Sequence, residues 1–360
     1  MISVEAPNAD TAWRNLAHKV KSTGSLQEGR IQPTKELLHV AVTITNPRQR
    51  VVFARPINPA FAIAEVIWIL AGSNDLSFLQ FWNPRMRHFS DDGVKLCGAY
   101  GYRLGSQPKL NPTAARKLRH GPTSHVSLDQ LKMAYNALLH SPSSRQVVLQ
   151  IWDGQLDMPD PTPKSKDVPC NLVSHLIVRD NKLDWLQVMR SNDLFWGFPY
   201  NVIQFTTLQE IVAGWLGVEV GSYTHLSNSL HVYERHWKDL EAVGFGSDDI
   251  PVNESDLRIA SYDSWEEIFG RFVSSVLYLM EHNSPEELIA SYRELSDLPN
   301  SYQVWMAILT AEALRKRGHL TEAHRMANHA GPFWNTTWRK WFAATLKETI
   351  AEKDLVATVF

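Results

Sequence analysis

Cysteine is scarce: Cys97 and Cys170 are the only two in 360 residues. Two thiols cannot build a disulfide framework, which argues for a reducing compartment. Neither sign of charge is in excess, with 36 Lys and Arg against 38 Asp and Glu and a formal net charge of -2. The chain therefore has no basic footprint for duplex nucleic acid, and a small anion bound locally is the more natural ligand. No uninterrupted apolar run approaches the roughly 18 to 20 residues that a membrane-spanning helix needs. The opening MISVEAPNADTAWRN lacks the basic-then-apolar pattern of a secretion signal. Low-complexity segments and internal repeats are missing too. With 44% hydrophobic and 21% charged residues, these absences imply a soluble, cytoplasmic globular protein. Its length suits one large domain with an appendage, or two modest domains.

Periodicity supplies the elements. LLHVAVTIT at 37–45 reads as a buried strand stopped by Asn46-Pro47. PAFAIAEVIWILA at 59–71 reads as a helix that is apolar nearly all round, with Pro59 at its start and Gly72 just past its end. Residues 127–139 suit an amphipathic helix, and 146–152 a strand. Two further strands flank the turn at 179–182, and on the second Leu186, Val188 and Arg190 share a face. A glycine-proline loop at 192–201 leads to Asn201, a suitable N-cap for a helix ending at Gly217. Composition shifts at 244–253, and a helical tail follows: Ser264-x-x-Glu267 and Ser284-x-x-Glu287 read as capping boxes, with further helices at 302–317, 321–330 and 336–352.

Some residues sit oddly in this pattern. Glu65 lies inside an apolar helix, where an unpaired carboxylate costs several kcal/mol. Cys170 follows a proline between a polar loop and a strand, Arg190 ends an alternating strand, and Asp193 and Asn201 bracket the glycine-proline loop. Each alone has a plain structural explanation: a free cysteine is usually core packing, Glu65 could pair with a buried arginine, and His231 could be a satisfied core histidine. No metal arrangement stands out. His231 and His236 are five apart and do not have the H-E-x-x-H arrangement of a helical zinc motif, and His319, His324 and His329 recur at five residues, off a common helical face.

Taken in order, the motifs are specific. Val168-Pro169-Cys170-Asn171, Gln187-Val-Met-Arg190-Ser191-Asn192-Asp193, Gly197-Phe-Pro199-Tyr-Asn201 and His231-Val-Tyr233-Glu-Arg-His236 resemble the thymidylate synthase family in order and spacing. Upstream, Glu65-Val-Ile-Trp68, Gly98-Ala-Tyr100-Gly101 and Ser143-Ser-Arg145 resemble its catalytic-glutamate helix, its glycine-tyrosine-glycine loop and its phosphate turn. The resemblance covers roughly residues 25–240. It implies an α/β fold, a large bent mixed sheet packed with helices, with residues 1–245 as the catalytic domain and 246–360 as a helical C-terminal extension. It also implies a homodimer with shared active sites.

The implied chemistry is one-carbon transfer to carbon-5 of deoxyuridylate (dUMP) from 5,10-methylenetetrahydrofolate, without a metal. By the resemblance Cys170 is the nucleophile that adds to carbon-6, because carbon-5 of uracil attacks nothing until the ring becomes an enolate. A thiol with a reference pKa of about 8.5 needs positive charge nearby, and the resemblance gives that task to Arg190. Glu65 and Tyr100 match the proton-transfer network. Arg190, Ser191 and Arg145 match phosphate contacts, Arg145 reaching in from the partner subunit, and Arg30 is a further phosphate candidate. Asn201 matches the residue that reads the pyrimidine edge, His231 and Tyr233 the pair on the sugar 3′-hydroxyl, and Asp193 and Gly197 the pterin contacts.

The sequence departs from the family pattern in places. Asn171 follows the nucleophile where histidine is common, Gln146 stands where a second arginine is usual, and Met86 falls where a folate-side tryptophan is expected. The short apolar tail that closes over the folate is replaced by about a hundred residues of unfamiliar helix. The tryptophan and the tail are features that exclude water from the reactive methylene. Their loss points to a 5-hydroxymethyl product, with reductive methylation to thymidylate as the alternative and a non-catalytic nucleotide-binding module as a remoter one. Aromatics at helical spacing in the tail (Trp305, Trp334, Trp338, Trp341) suggest packing on the core.

Overall fold

The structure, a computed structural model, describes residues 1–29, 32–106, 108–110, 125–127, 129–158, 165–246 and 250–357. Arg30 lies outside the described residues. The architecture is α/β, as expected. The strands are β1 (Ile2–Ala6), β2 (Ser25–Gln27), β3 (Thr34–Ile44), β4 (Pro108–Leu110), β5 (His125–Ser127), β6 (Val148–Gln150), β7 (Asn171–Arg179), β8 (Lys182–Met189), β9 (Asn192–Asp193) and β10 (Glu219–Tyr233). Among the described residues they form a mixed eight-stranded sheet in the order β1-β3-β10-β8-β7-β6, with β2 on β3, β9 on β10, and β4 pairing β5 apart from it.

Alternation along β8 sets the two faces. Leu183, Trp185, Gln187 and Met189 are buried against helices, while Asp184, Leu186, Val188 and Arg190 are half-buried on the opposite side. On that outer side the register aligns Val173, Val188, Leu226 and Ala41 across four strands. The β7–β8 turn holds Asp180 and Asn181 at φ of 48° and 58°, the pair of left-handed residues that a tight twisted hairpin demands.

The helices on the inner side are α1 (Ala9–Thr23), α2 (Pro59–Leu70), α3 (Leu76–Trp82), α4 (Gln130–His140) and α5 (Gly197–Leu216). Two expected boundaries shift. Asn201 does not cap α5 but lies within it, because the helix begins at Gly197. Pro199 had read as loop, yet a proline fits the first helical turn, where its missing N–H costs nothing. The helix of the first capping box, α6 (Tyr262–Glu281), is capped by Ser261 and not by Ser264, whose N–H donates to the Ser261 side chain. The second box holds: Ser284 caps α7 (Pro285–Arg293) and accepts from Glu287 N.

The tail continues through α8 (Asn300–Lys316), α9 (Leu320–Ala327) and α10 (Gly331–Ala357). It does not stand apart: α8 and α10 pack on α2, and the buried apolar side chains form one continuous core. That explains why α2 is apolar nearly all round. Trp305, Trp334 and Trp338 are fully buried and Trp341 half-buried, so the tail aromatics are core as their spacing suggested. Among the described residues no helix is long and apolar enough to cross a membrane.

Candidate active site

Three elements converge on Cys170. The thiol sits at the mouth of β7, just before a bulge between Asn171 and Val173, which re-aims the chain as it enters the sheet. Arg190 leaves the end of β8, its N–H donating to Cys170 O at 2.9 Å. Here the chain steps outward for two residues, Arg190 and Ser191, before β9 rejoins the sheet against Leu230 and His231. That offset frees the arginine from the ladder. Its guanidinium donates to Pro169 O and Val168 O, both at 2.9 Å, and lies 5.6 Å from the centre of the Trp152 ring.

The third element is α2. Its N-cap Asn58 is fixed to α5, the Asn58 N–H donating to the Tyr200 hydroxyl at 3.0 Å while Tyr200 meets Phe61 edge to face. One turn further along both helices Glu65 meets Gln204, and Gln204 Oε1 accepts from Asn201 Nδ2 at 3.2 Å. Glu65 Oε2 is buried and has no partner. Burial raises the Glu65 pKa to about 8, with the Gln204 hydrogen bond a smaller opposing effect. The carboxyl is thus protonated at neutral pH in the free protein.

The loop Gly98-Ala-Tyr100-Gly101 wedges between these elements, and its glycines make the fit. A Cβ on Gly101 would sit 2.2 Å from Ile69 O at the end of α2, and one on Gly98 would sit 2.9 Å from Asp167 O beside Cys170. Tyr100 is thereby held close to both groups. Burial first, then the charges of Cys170 and Glu65, push its pKa well up. Cys170 departs from the expectation. Arg190 does pull its pKa down, but burial outweighs that and Asp167 adds to the rise, so the thiol stays protonated in the unliganded protein.

His231, buried, lies between Asp193 of β9 and Glu36 of β3 in the register. Burial lowers its pKa and the two carboxylates partly restore it; its ring meets Tyr233 edge to face at 5.0 Å. Asp193 Oδ1 caps the turn by accepting from Phe195 N at 2.8 Å. A Cβ on Gly197 would fall 2.7 Å from Asn192 Oδ1, with Asn201 and Asp193 the next nearest neighbours. Ser191 is half-buried beside Arg190. Arg145 is exposed, ahead of the edge strand β6, and only its carbonyl is engaged, 3.1 Å from His175 Nε2. Within one chain it joins none of the other candidates. Gln204, Asp167 and Trp152 were not picked out from sequence; Gln204 is one of several buried polar residues on its helix, with Asn201, Thr206, Thr207, Gln209 and Glu210, so its position there did not single it out.

Among the described residues no group of three or more His, Cys, Asp or Glu is placed to hold a metal. The mixed sheet and its helices gather a half-buried thiol, a half-buried carboxyl, an arginine and a side-chain amide around one loop. The family profile described as thymidylate synthase matches residues 11–245, and the chain belongs to that family. It is 40% identical over 224 residues to a deoxyuridylate hydroxymethyltransferase of Bacillus phage SP01, covering 61% of this chain and 56% of that protein. A deoxyuridylate hydroxymethyltransferase of Pseudomonas phage M6 is 32% identical over 236 residues (64% and 61%). A thymidylate synthase of Bacillus licheniformis is 33% identical over 185 residues (50% and 59%). The chain matches less than two thirds of the length of each relative.

Proposed function

We propose that this protein transfers a one-carbon unit to carbon-5 of dUMP and releases 5-hydroxymethyl-dUMP, acting as a homodimer in the cytoplasm. The observation that carries the reading is the half-buried pair of Cys170 and Glu65, both close enough to Tyr100 for their charges to raise its pKa, and each held protonated before substrate arrives. Cys170 loses its proton and its sulfur bonds to carbon-6, which places negative charge on the ring oxygen and nucleophilic character at carbon-5. Carbon-5 bonds to the folate's one-carbon unit, which is at the oxidation level of formaldehyde. Loss of the carbon-5 proton and cleavage of the carbon–nitrogen bond to the folate then release tetrahydrofolate and leave an exocyclic methylene. Glu65 and Tyr100 move protons at the ring oxygen and carbon-5, the raised pKa of Glu65 placing it near working pH. Water then adds its oxygen to the exocyclic methylene, its proton passes to the site, and the carbon-6 to sulfur bond breaks to restore the uracil ring and the thiol.

Arg190 and Ser191 hold the phosphate, with Arg145 donated by the partner and Arg30 a further contributor. The hydrogen bonds of the Arg190 guanidinium to described residues go to the carbonyls of Pro169 and Val168, and it can exchange them for phosphate oxygens. His231 and Tyr233 hold the sugar 3′-hydroxyl and Asn201 the pyrimidine edge. Gly197 and Asp193 contact the pterin, the glycine letting a flat ring approach the backbone closely. The outer face of the sheet, with Leu38 54% exposed beside half-buried Leu186, Val188 and Leu226, suits burial against a second copy. The boundary near residue 245 divides the family portion from the helical extension in sequence while the two share a core.

Methylation to thymidylate remains the second reading, supported by the Bacillus licheniformis relative. Incubation with dUMP and 5,10-methylenetetrahydrofolate separates the two. Mass spectrometry is expected to find a hydroxymethyl gain on the nucleotide with no rise in dihydrofolate absorbance. A methyl gain with dihydrofolate overturns the reading.

A further inference from the structure

Beneath the candidate site lies a buried polar chain that the reading above does not use. Tyr223 and His225 of β10 point into the helix-facing layer, where His225 is the register partner of Gln187. The Tyr223 hydroxyl is 2.8 Å from His225 Nδ1, and the Asn192 amide is 2.6 Å from His225 Nε2. Burial lowers the His225 pKa to about 3, so the ring is neutral and carries a single N–H. As placed, Asn192 Nδ2 faces Nε2 and Asn192 Oδ1 has no partner among the described residues. Exchanging the two ends of this amide satisfies every member: Tyr223 O–H donates to Nδ1, and Nε2–H donates to Asn192 Oδ1. The amino group of Asn192 is then the free end of the chain. The reverse arrangement strands both the Tyr223 proton and the Asn192 oxygen.

That free end is aimed at the site. The position it takes, filled by Asn192 Oδ1 before the exchange, is buried without a partner among the described residues and lies 2.7 Å from the point a Cβ on Gly197 would occupy. The Asn201 amide oxygen lies 3.5 Å from the same point. The two amides therefore border one point beside Gly197, close enough to be joined directly or through one water. On its other side Asn201 Nδ2 donates to Gln204.

We propose that Asn192, held by His225 and Tyr223, is a positioning residue that locks the Asn201 amide in the orientation that reads uracil and rejects cytosine. This rests on the proposed function, in which Asn201 meets the pyrimidine edge. Uracil presents an acceptor at O4 and a donor at N3–H; cytosine presents the reverse, a donor at N4 and an acceptor at N3. A primary amide matches either by turning over, so an asparagine alone discriminates weakly. With its oxygen receiving from Asn192 and its nitrogen donating to Gln204, Asn201 has one lone pair left for N3–H and one hydrogen left for O4. Turning it over would set donor against donor at Asn192 and acceptor against acceptor at Gln204.

The test is equilibrium binding of dUMP and dCMP to the full-length protein and to Asn192→Leu, His225→Phe and Tyr223→Phe, with thermal melting to establish folding. Asn192→Leu and His225→Phe are expected to narrow the preference for dUMP by about tenfold. Tyr223→Phe deletes one hydroxyl and keeps the ring, so it covers the case in which the other two do not fold; a narrowing of about threefold is expected. Folded variants that keep the wild-type ratio overturn the proposal, because a merely structural role would weaken both nucleotides together. A wild-type protein that binds neither nucleotide overturns the functional reading instead.

Discussion

Glu65 shows how one residue links stability to chemistry. Its carboxyl titrates near 8 in the folded chain and near 4.5 when unfolded. Between these values the folded state keeps a proton that the unfolded state has released. Stability therefore falls as pH rises through that window and levels off above it. Glu65→Gln, which keeps the shape and cannot ionise, should be more stable than wild type by a few kcal/mol at pH 8.5, with the difference vanishing below pH 4.5; urea titrations at both ends check this. The same variant should lose turnover by on the order of a hundredfold or more, since it can neither give nor take a proton. Cys170 is the complementary case. With burial outweighing Arg190, site-resolved alkylation by iodoacetamide should be slow at pH 7 and rise only above pH 9.

At the scale of elements, the loop around Tyr100 joins what the sequence separates by about a hundred positions. Gly101→Ala would drive a methyl group into Ile69 O, and the expected cost is about 1–3 kcal/mol with a matching loss of activity. Denaturant midpoint and turnover, measured on one preparation, should fall together. Strand and helix identity was legible where periodicity was strong: α2, the β7–β8 hairpin and the tail aromatics all read correctly. Helix starts were less so. Local sequence offers several caps within a turn of one another, as with Ser261 and Ser264, and tertiary packing selects among them. The candidate site was legible as motifs, because chemistry fixes residue types. The Tyr223–His225–Asn192 chain was not, since three polar residues in different elements leave no periodic trace.

The whole molecule behaves as one cooperative body in this account. Helix α2 carries Glu65 and packs against α8 and α10, so the tail supports the helix that holds the site. Trp305→Ala, at a position 1% exposed, should cost about 3–5 kcal/mol in a single unfolding transition shared by probes in both parts. Two transitions would mark the tail as independent. Arg145 belongs to the same scale, because its exposed side chain reaches no site in its own chain. Mixing inactive Arg145→Ala with inactive Cys170→Ala should restore turnover if each site draws on two copies; separate inactivity after mixing argues for a site within one chain.

All of these expectations depend on sulfur bonding to a pyrimidine. The most direct measurement is intact and peptide mass spectrometry after incubation with 5-fluoro-dUMP and 5,10-methylenetetrahydrofolate. The fluorine at carbon-5 cannot leave as a proton does, so the covalent species should persist. The account predicts a ternary adduct mapped to Cys170 and abolished in Cys170→Ala. A folded wild-type protein that forms no adduct, or forms it on Cys97, contradicts it.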